Sequence, residues 1–234
     1  MQTRSPLATQ VDDPRDVADR TAPLFGLAIH TTGSGIVDLA RKMKHDPLET
    51  AVNFYLNPDN YFPHYVIGYD GHIVQVSDEK ERAQHIGFKD ERALYLSGEW
   101  INKLPGDVVA LWRLRWPIYK SPAHLFPGPS PNSVYLGVEL LPLAKDMYGA
   151  ATATVYKDSP YSLQQYQALA SLVKDIGVRY GFHNGWWKTN QLVTHEDINP
   201  ISRHTKKPPA CWDPGVLRAK PWFHWDLLLQ FIAA

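Results

Sequence analysis

Pro23-Leu24-Phe25-Gly26-Leu27-Ala28-Ile29-His30 is a short, continuous apolar run that ends on an imidazole. A strand buried on both faces reads this way, because neither face presents polar residues to water. The run predicts the first central strand of the fold, with His30 at its end. Val134-Tyr135-Leu136-Gly137-Val138-Glu139-Leu140-Leu141 predicts a second central strand, and Gln191-Leu192-Val193-Thr194-His195 a short last one. Between them, His64-Tyr65-Val66-Ile67-Gly68-Tyr69 and His72-Ile73-Val74-Gln75-Val76 flank Asp70-Gly71. Asp-Gly between two β-branched runs is the strongest short hairpin signal available.

Helical spacing appears outside these strands. Ile36, Leu39, Ala40 and Met43 predict a helix from about Gly35 to Lys44. A longer helix is expected from about Leu163 to Tyr180, with Leu163, Tyr166, Leu169, Leu172, Val173 and Ile176 as its apolar stripe. Ser162 and Gln165 have capping-box spacing, and Gly181 stands where a C-cap glycine belongs. Pro221 is expected to open a C-terminal helix that runs to about Ile232. Residues 1–22 read as a polar arm draped on the surface, before a single domain over 23–234. Within that domain, residues 88–133 form a long insert that holds Trp100, Trp112 and Trp116. Its length makes it a functional loop, a small subdomain or an oligomer interface.

Composition excludes several classes. The 234 residues carry 24 Lys plus Arg against 24 Asp plus Glu, so no net charge favours nucleic acid or an anionic membrane. The single cysteine excludes an intrachain disulfide and a multi-cysteine zinc site. No apolar run reaches the roughly 18 residues of a membrane helix. The first 20 residues hold no apolar core of a secretory leader, so synthesis in the cytoplasm is expected.

The chemistry-bearing residues sort by position. His30 and His195 sit at strand ends, where a rigid sheet hands over to loops. Asp213 follows in the turn Cys211-Trp212-Asp213-Pro214-Gly215. Two imidazoles and a carboxylate, with a fourth position left for water, make a catalytic zinc set; structural histidines are the alternative. Glu139 interrupts an apolar strand. A carboxylate there is costly unless it is paired or faces a cleft; an edge-strand glutamate turned to solvent is the alternative. By alternation it shares a face with Gly137 and Leu141, and Gly137 is expected to leave space beside it.

Taken in order, Gly26-Leu27-Ala28-Ile29-His30, the His64 to Gln75 hairpin, Ala83-Gln84-His85-Ile86-Gly87, Gly137-Val138-Glu139-Leu140, His195-Glu196-Asp197-Ile198-Asn199-Pro200 with Arg203, and Asp213-Pro214-Gly215 resemble the type 2 N-acetylmuramoyl-L-alanine amidases. That family shares its fold with peptidoglycan recognition proteins and phage T7-type lysozymes. The resemblance runs from about residue 23 to residue 230. It implies an α/β fold, a mixed central sheet with helices on both faces, and peptidoglycan or muropeptides as substrate. It implies His30, His195 and Asp213 as zinc ligands, with Cys211 the competitor for the third place, and Glu139 as catalytic acid/base.

The family often carries a catalytic lysine two residues before the third ligand, and Cys211 occupies that position here. Lys206 or Lys207 is therefore expected to reach in from the enlarged loop between His195 and Asp213. His64, Tyr65, His85 and Arg203 are expected to line the substrate cleft, and Trp100, Trp112 and Trp116 to stack on sugar faces. Relatives that bind peptidoglycan without cutting it make a recognition module the rival reading. A cytosolic recycling enzyme, a phage endolysin and an antibacterial effector acting in the periplasm with a delivery or immunity partner are the biological settings the resemblance allows.

Overall fold

The computed structural model describes residues 3–15, 17–32, 34–88, 91–142, 159–204, 213–218 and 221–234. Lys206, Lys207 and Cys211 lie outside the described residues. A six-stranded sheet organises the chain. Its strands are β1 (Thr9–Gln10), β2 (Gly26–Thr31), β3 (Tyr65–Ile67), β4 (Ile73–Gln75), β5 (Tyr135–Leu140) and β6 (Leu192–Thr194). They lie in the order β1-β4-β3-β5-β2-β6. Among the described strands the β3–β4 hairpin pairs antiparallel and the other four pairings are parallel. The sheet is therefore mixed, as expected, and β2 and β5 at its centre are buried on both faces.

The two faces differ. On one, Leu27, Ile29, Ile67, Leu136, Val138 and Leu192 pack against α5 (Leu163–Tyr180) and α8 (Trp225–Ala233). The capping box on α5 is formed at Ser162 and Gln165, and Gly181 ends the helix with φ 67°. Leu163 is exposed, and Gln165 turns inward instead, where its amide nitrogen Nε2 donates to the carbonyls of Ile67 and Leu141. The C-terminal helix starts at Trp225, four residues later than Pro221 suggested. Trp222 N donates to the Gly215 carbonyl and Phe223 enters the core, which holds this stretch out of the helix.

The opposite face is split into two clusters. One joins Val66 of β3 and Val74 of β4 to α1 (Ser34–Met43) and α2 (Pro47–Leu56). The inward face of α1 is Ile36, Val37 and Ala40, whereas Leu39 and Met43 are about half exposed. The other cluster joins Ala28, Tyr135 and Val193 to the insert. The insert folds as α3 (Arg92–Ser97), a 3-10 turn and α4 (Gly106–Arg115). Trp100 and Trp112 are fully buried in this second cluster and Trp116 nearly so, so they are core rather than a sugar-stacking surface. Between the two clusters the sheet face is left for polar residues.

The arm belongs to the fold. β1 adds to the sheet beside β4, and Arg20 N donates to the Lys80 carbonyl. Arg15 binds Asp13, the Tyr55 carbonyl and the Val76 carbonyl, and lies 3.7 Å over the Phe62 ring. A guanidinium with fixed fork geometry can tie three segments at once. The local sequence carries no signal for that contact.

Candidate active site

His30 and Glu139 sit opposite one another in the β2–β5 register. Alternation turns both to the split face, one from each central strand. β6 ends at Thr194, and His195 begins α6 (His195–Ile198), whose N-terminus is closed by a capping box between Thr194 and Asp197. α7 (Pro200–His204) follows and carries Arg203. Asp213 is brought in from the far end of the loop. Glu196 holds that segment: its backbone N–H donates to the Asp213 carbonyl, and its Oε2 accepts from Val216 N at 2.6 Å and Leu217 N at 3.0 Å.

His30, His195 and Asp213 converge, with one potential ligand atom from each lying within 4.8 Å of the others. His30 Nδ1 is 3.0 Å from His195 Nδ1 and 3.6 Å from Asp213 Oδ1, and His195 Nδ1 is 2.6 Å from Asp213 Oδ2. Tetrahedral zinc with ligands at 2.0–2.1 Å places its donor atoms about 3.3 Å apart; the 3.0 and 3.6 Å separations bracket that value, while the 2.6 Å His195–Asp213 contact is a hydrogen bond that has to open slightly to admit the ion. The protonation states fit as well. Burial holds the His195 imidazole down to about 4, which leaves it neutral. Burial opposes ionisation of Asp213, but the adjacent His195 and His30 imidazoles outweigh it and keep that carboxyl well below its usual range. Neutral imidazole and ionised carboxylate are the forms that bind a metal. Thr31 N donates to Asp213 Oδ1 at 2.9 Å and Arg203 Nη1 to Oδ2 at 3.2 Å, fixing the carboxylate plane.

Glu139 is 3% exposed, and its Oε2 has no hydrogen-bond partner. It is not an edge-strand residue turned to solvent. Burial and the Asp213 charge push its carboxyl well above the ordinary range. The buried Tyr55 hydroxyl from α2 faces it, at the loose end of hydrogen-bond reach, and burial followed by the Glu139 charge raises the tyrosine strongly. Both His30 and Glu139 line a cleft of about 1180 Å³, together with His85, His195, Arg203 and Asp213.

The remaining expectations divide. His85 and Arg203 do line the cleft. His64 does not: it is fully buried, its Nδ1 accepts from Gly137 N at 3.0 Å, and its Nε2 faces the Glu81 carbonyl. Tyr65 does not either, since alternation along β3 turns it to the α5 side, where its hydroxyl donates to Glu79. The space above Gly137 is filled: a Cβ there would lie 2.6 Å from the His85 ring. Unforeseen cleft residues are Tyr61, Arg82, Gln84 and Asn132, with Arg15 from the arm. Asn132 binds the 85–86 backbone, accepting from Ile86 N at 2.9 Å and donating to the Ile86 carbonyl at 2.9 Å. The two sides of that contact come from segments 46 residues apart, and no local pattern marks it.

The insert reaches the site through Asp197. Asp197 Oδ1 accepts from Arg115 Nε and Trp116 Nε1, both at 2.7 Å, and its carbonyl accepts from Trp112 Nε1 at 2.8 Å. Its Oδ2 accepts from Thr194 N and Thr194 Oγ1. The insert is thus bolted to the turn that presents His195.

A comparison with curated proteins found no match. Among solved structures, the crystal structure of a selenomethionine AmpD derivative is similar over 99% of this chain and 98% of its own, with a TM-score of 0.51 at 18% identity. That likeness bears on the fold. The endolysin N-acetylmuramoyl-L-alanine amidase LysCS from Clostridium intestinale is more distant, at 12% identity and a TM-score of 0.32 over 84% of this chain and 85% of its own. The family described as N-acetylmuramoyl-L-alanine amidase matches residues 20–215, from the arm's end through the Asp213 turn. With that match spanning every residue of the cleft's acid, imidazole and carboxylate set, the chain belongs to the N-acetylmuramoyl-L-alanine amidase family.

Proposed function

We propose that the protein is a zinc-dependent amidase that hydrolyses the bond between the lactyl group of N-acetylmuramic acid and L-alanine, with Glu139 as general acid/base. The observation that carries this reading is the buried His30, His195 and Asp213 group sharing one cleft with the buried Glu139 carboxyl. What zinc supplies when bound is Lewis acidity, polarising the scissile carbonyl and lowering the pKa of water. The chain's own residues do the rest. Glu139 takes the proton of the attacking water and returns it to the departing amine nitrogen. Its burial makes it a stronger proton acceptor than an exposed carboxylate, and so suits the first of these roles. Asp213 stays ionised between Thr31 N, His195 and Arg203. Arg203 also keeps a cation at the cleft wall, and the closed sheet behind His30 excludes water from the rear.

The test is a digest of purified sacculi and of soluble muropeptides, with and without chelator, read by mass spectrometry. Chelator-sensitive release of peptides with a free N-terminal L-alanine is the expected result. Binding to sacculi without cleavage, by zinc-loaded protein, would replace the enzyme with a recognition module. The preferred substrate separates wall lysis from recycling of fragments.

A further inference from the structure

The contact between His30 and His85 determines more than ring positions. His85 Nε2 lies 3.3 Å from the Tyr135 carbonyl oxygen, and a carbonyl only accepts, so the His85 proton sits on Nε2. A neutral His85 then offers a lone pair at Nδ1. His30 Nε2 is 2.8 Å from that atom and is the donor. With its proton on Nε2, His30 directs an Nδ1 lone pair at the point where His195 Nδ1 and Asp213 Oδ1 converge, 3.0 and 3.6 Å away. The donor chain runs one way, from His30 through His85 to the backbone of β5.

The surroundings hold His85 in that pose. Its ring stands edge-on to His30, with centroids 4.9 Å apart. Asn132 pins the backbone at residues 85 and 86. Gly137 leaves the slot, since any larger residue would place its Cβ 2.6 Å from the imidazole. A glycine in the middle of a central strand weakens it, and close approach of another group is a physical reason for one to be there.

We infer that His85 is a positioning residue that holds His30 in the one tautomer whose Nδ1 can ligate a metal, and that Gly137 is the slot that admits it. The inference rests on His30 being a metal ligand. A hydrogen-bond partner on the far nitrogen of a ligating imidazole orients the ring and sets its tautomer.

The test has two readouts on the full-length chain. Nitrogen-resolved imidazole NMR of the metal-free protein is expected to find His30 protonated at Nε2. Zinc affinity is then measured by chelator competition. His85→Leu, which accepts nothing, is expected to bind one zinc about 10–100-fold more weakly, with His85→Gln recovering most of the loss. Gly137→Ala, which keeps the imidazole but closes the slot, is expected to weaken zinc in the same direction, and it serves if His85→Leu does not fold. His30 protonated at Nδ1 in the metal-free protein, or folded His85→Leu and Gly137→Ala within about threefold of the parent, would overturn the inference. His30→Ala holding zinc as tightly as the parent would overturn the ligand reading instead, and with it the role of His85; the NMR result tells the two failures apart.

Discussion

Asp197→Ala removes the joint between the insert and the turn that presents His195. The carboxylate accepts four hydrogen bonds, from Arg115 Nε, Trp116 Nε1, Thr194 N and Thr194 Oγ1, and is fully buried. Thr194 is also fully buried and Trp116 is 8% exposed, so the neutral donors are left without water. An unsatisfied buried donor costs about 1–3 kcal/mol, and the threonine hydroxyl can turn to another acceptor. Arg115 loses its ion-pair partner but is 17% exposed, so it partly rehydrates. Breaking a buried pair from one side costs about 3–5 kcal/mol on its own. Because these contributions overlap, the expected loss is about 4–6 kcal/mol. For a chain of this size that lowers Tm by roughly 10–20 °C. Trp116→Phe and Trp112→Phe each delete one donor and are expected to lose about 1–3 kcal/mol, less than Asp197→Ala. The assay is thermal and urea unfolding of all three variants, with zinc content measured alongside. A Tm drop of under about 3 °C for Asp197→Ala, or one no larger than for Trp116→Phe, would refute the view that this carboxylate, rather than apolar packing, ties the insert to the site.

Three further outcomes are expected. Glu139→Gln should keep the fold and one bound zinc while hydrolysis falls by a factor of about 10²–10⁴, and turnover near that of the parent would take Glu139 out of the reaction. His30→Ala should lose zinc and, with it, the stability that binding the metal gives the folded state; an unchanged metal content by atomic spectroscopy would refute the ligand assignment. His64 should make the protein acid-sensitive. Burial lowers it to about 3, so between the ordinary histidine value near 6.5 and that value only the unfolded chain holds the proton. The stability it permits is therefore complete above about pH 6.5 and falls by about 1.4 kcal/mol per unit on acidification. His64→Asn should flatten the stability curve by one proton over that range, and an unchanged slope in urea titrations would contradict the burial argument.

Much of the architecture is readable along the chain because it rests on local or periodic features. The apolar run ending at His30, the run that carries Glu139, the Asp-Gly hairpin and the Ser162–Gln165 cap each follow from neighbours a few residues apart. The same strand-end logic picks out His30 and His195, the family resemblance adds Asp213 from its turn, and the structure brings the three together. The errors have a common cause. Tyr65 and His64 carry the right side chains for a cleft, but residue parity along β3 and the pairing of His64 with Gly137 send them into the interior. The tryptophans of the insert look like a binding surface by composition, yet their faces are used to build a second core over the sheet.

The sequence alone determines which residues end the central strands and which strand bears a carboxylate, because period-2 alternation and turn chemistry are local properties of the chain. Only the tertiary structure decides what closes around them. Arg15 arrives from the arm, Asn132 grips residues 85–86, Asp197 fastens the insert, and His85 fills the space over Gly137. Each of these contacts joins segments tens of residues apart. Their geometry is set by how the two clusters on the split face pack against the sheet, and no window of sequence contains both partners.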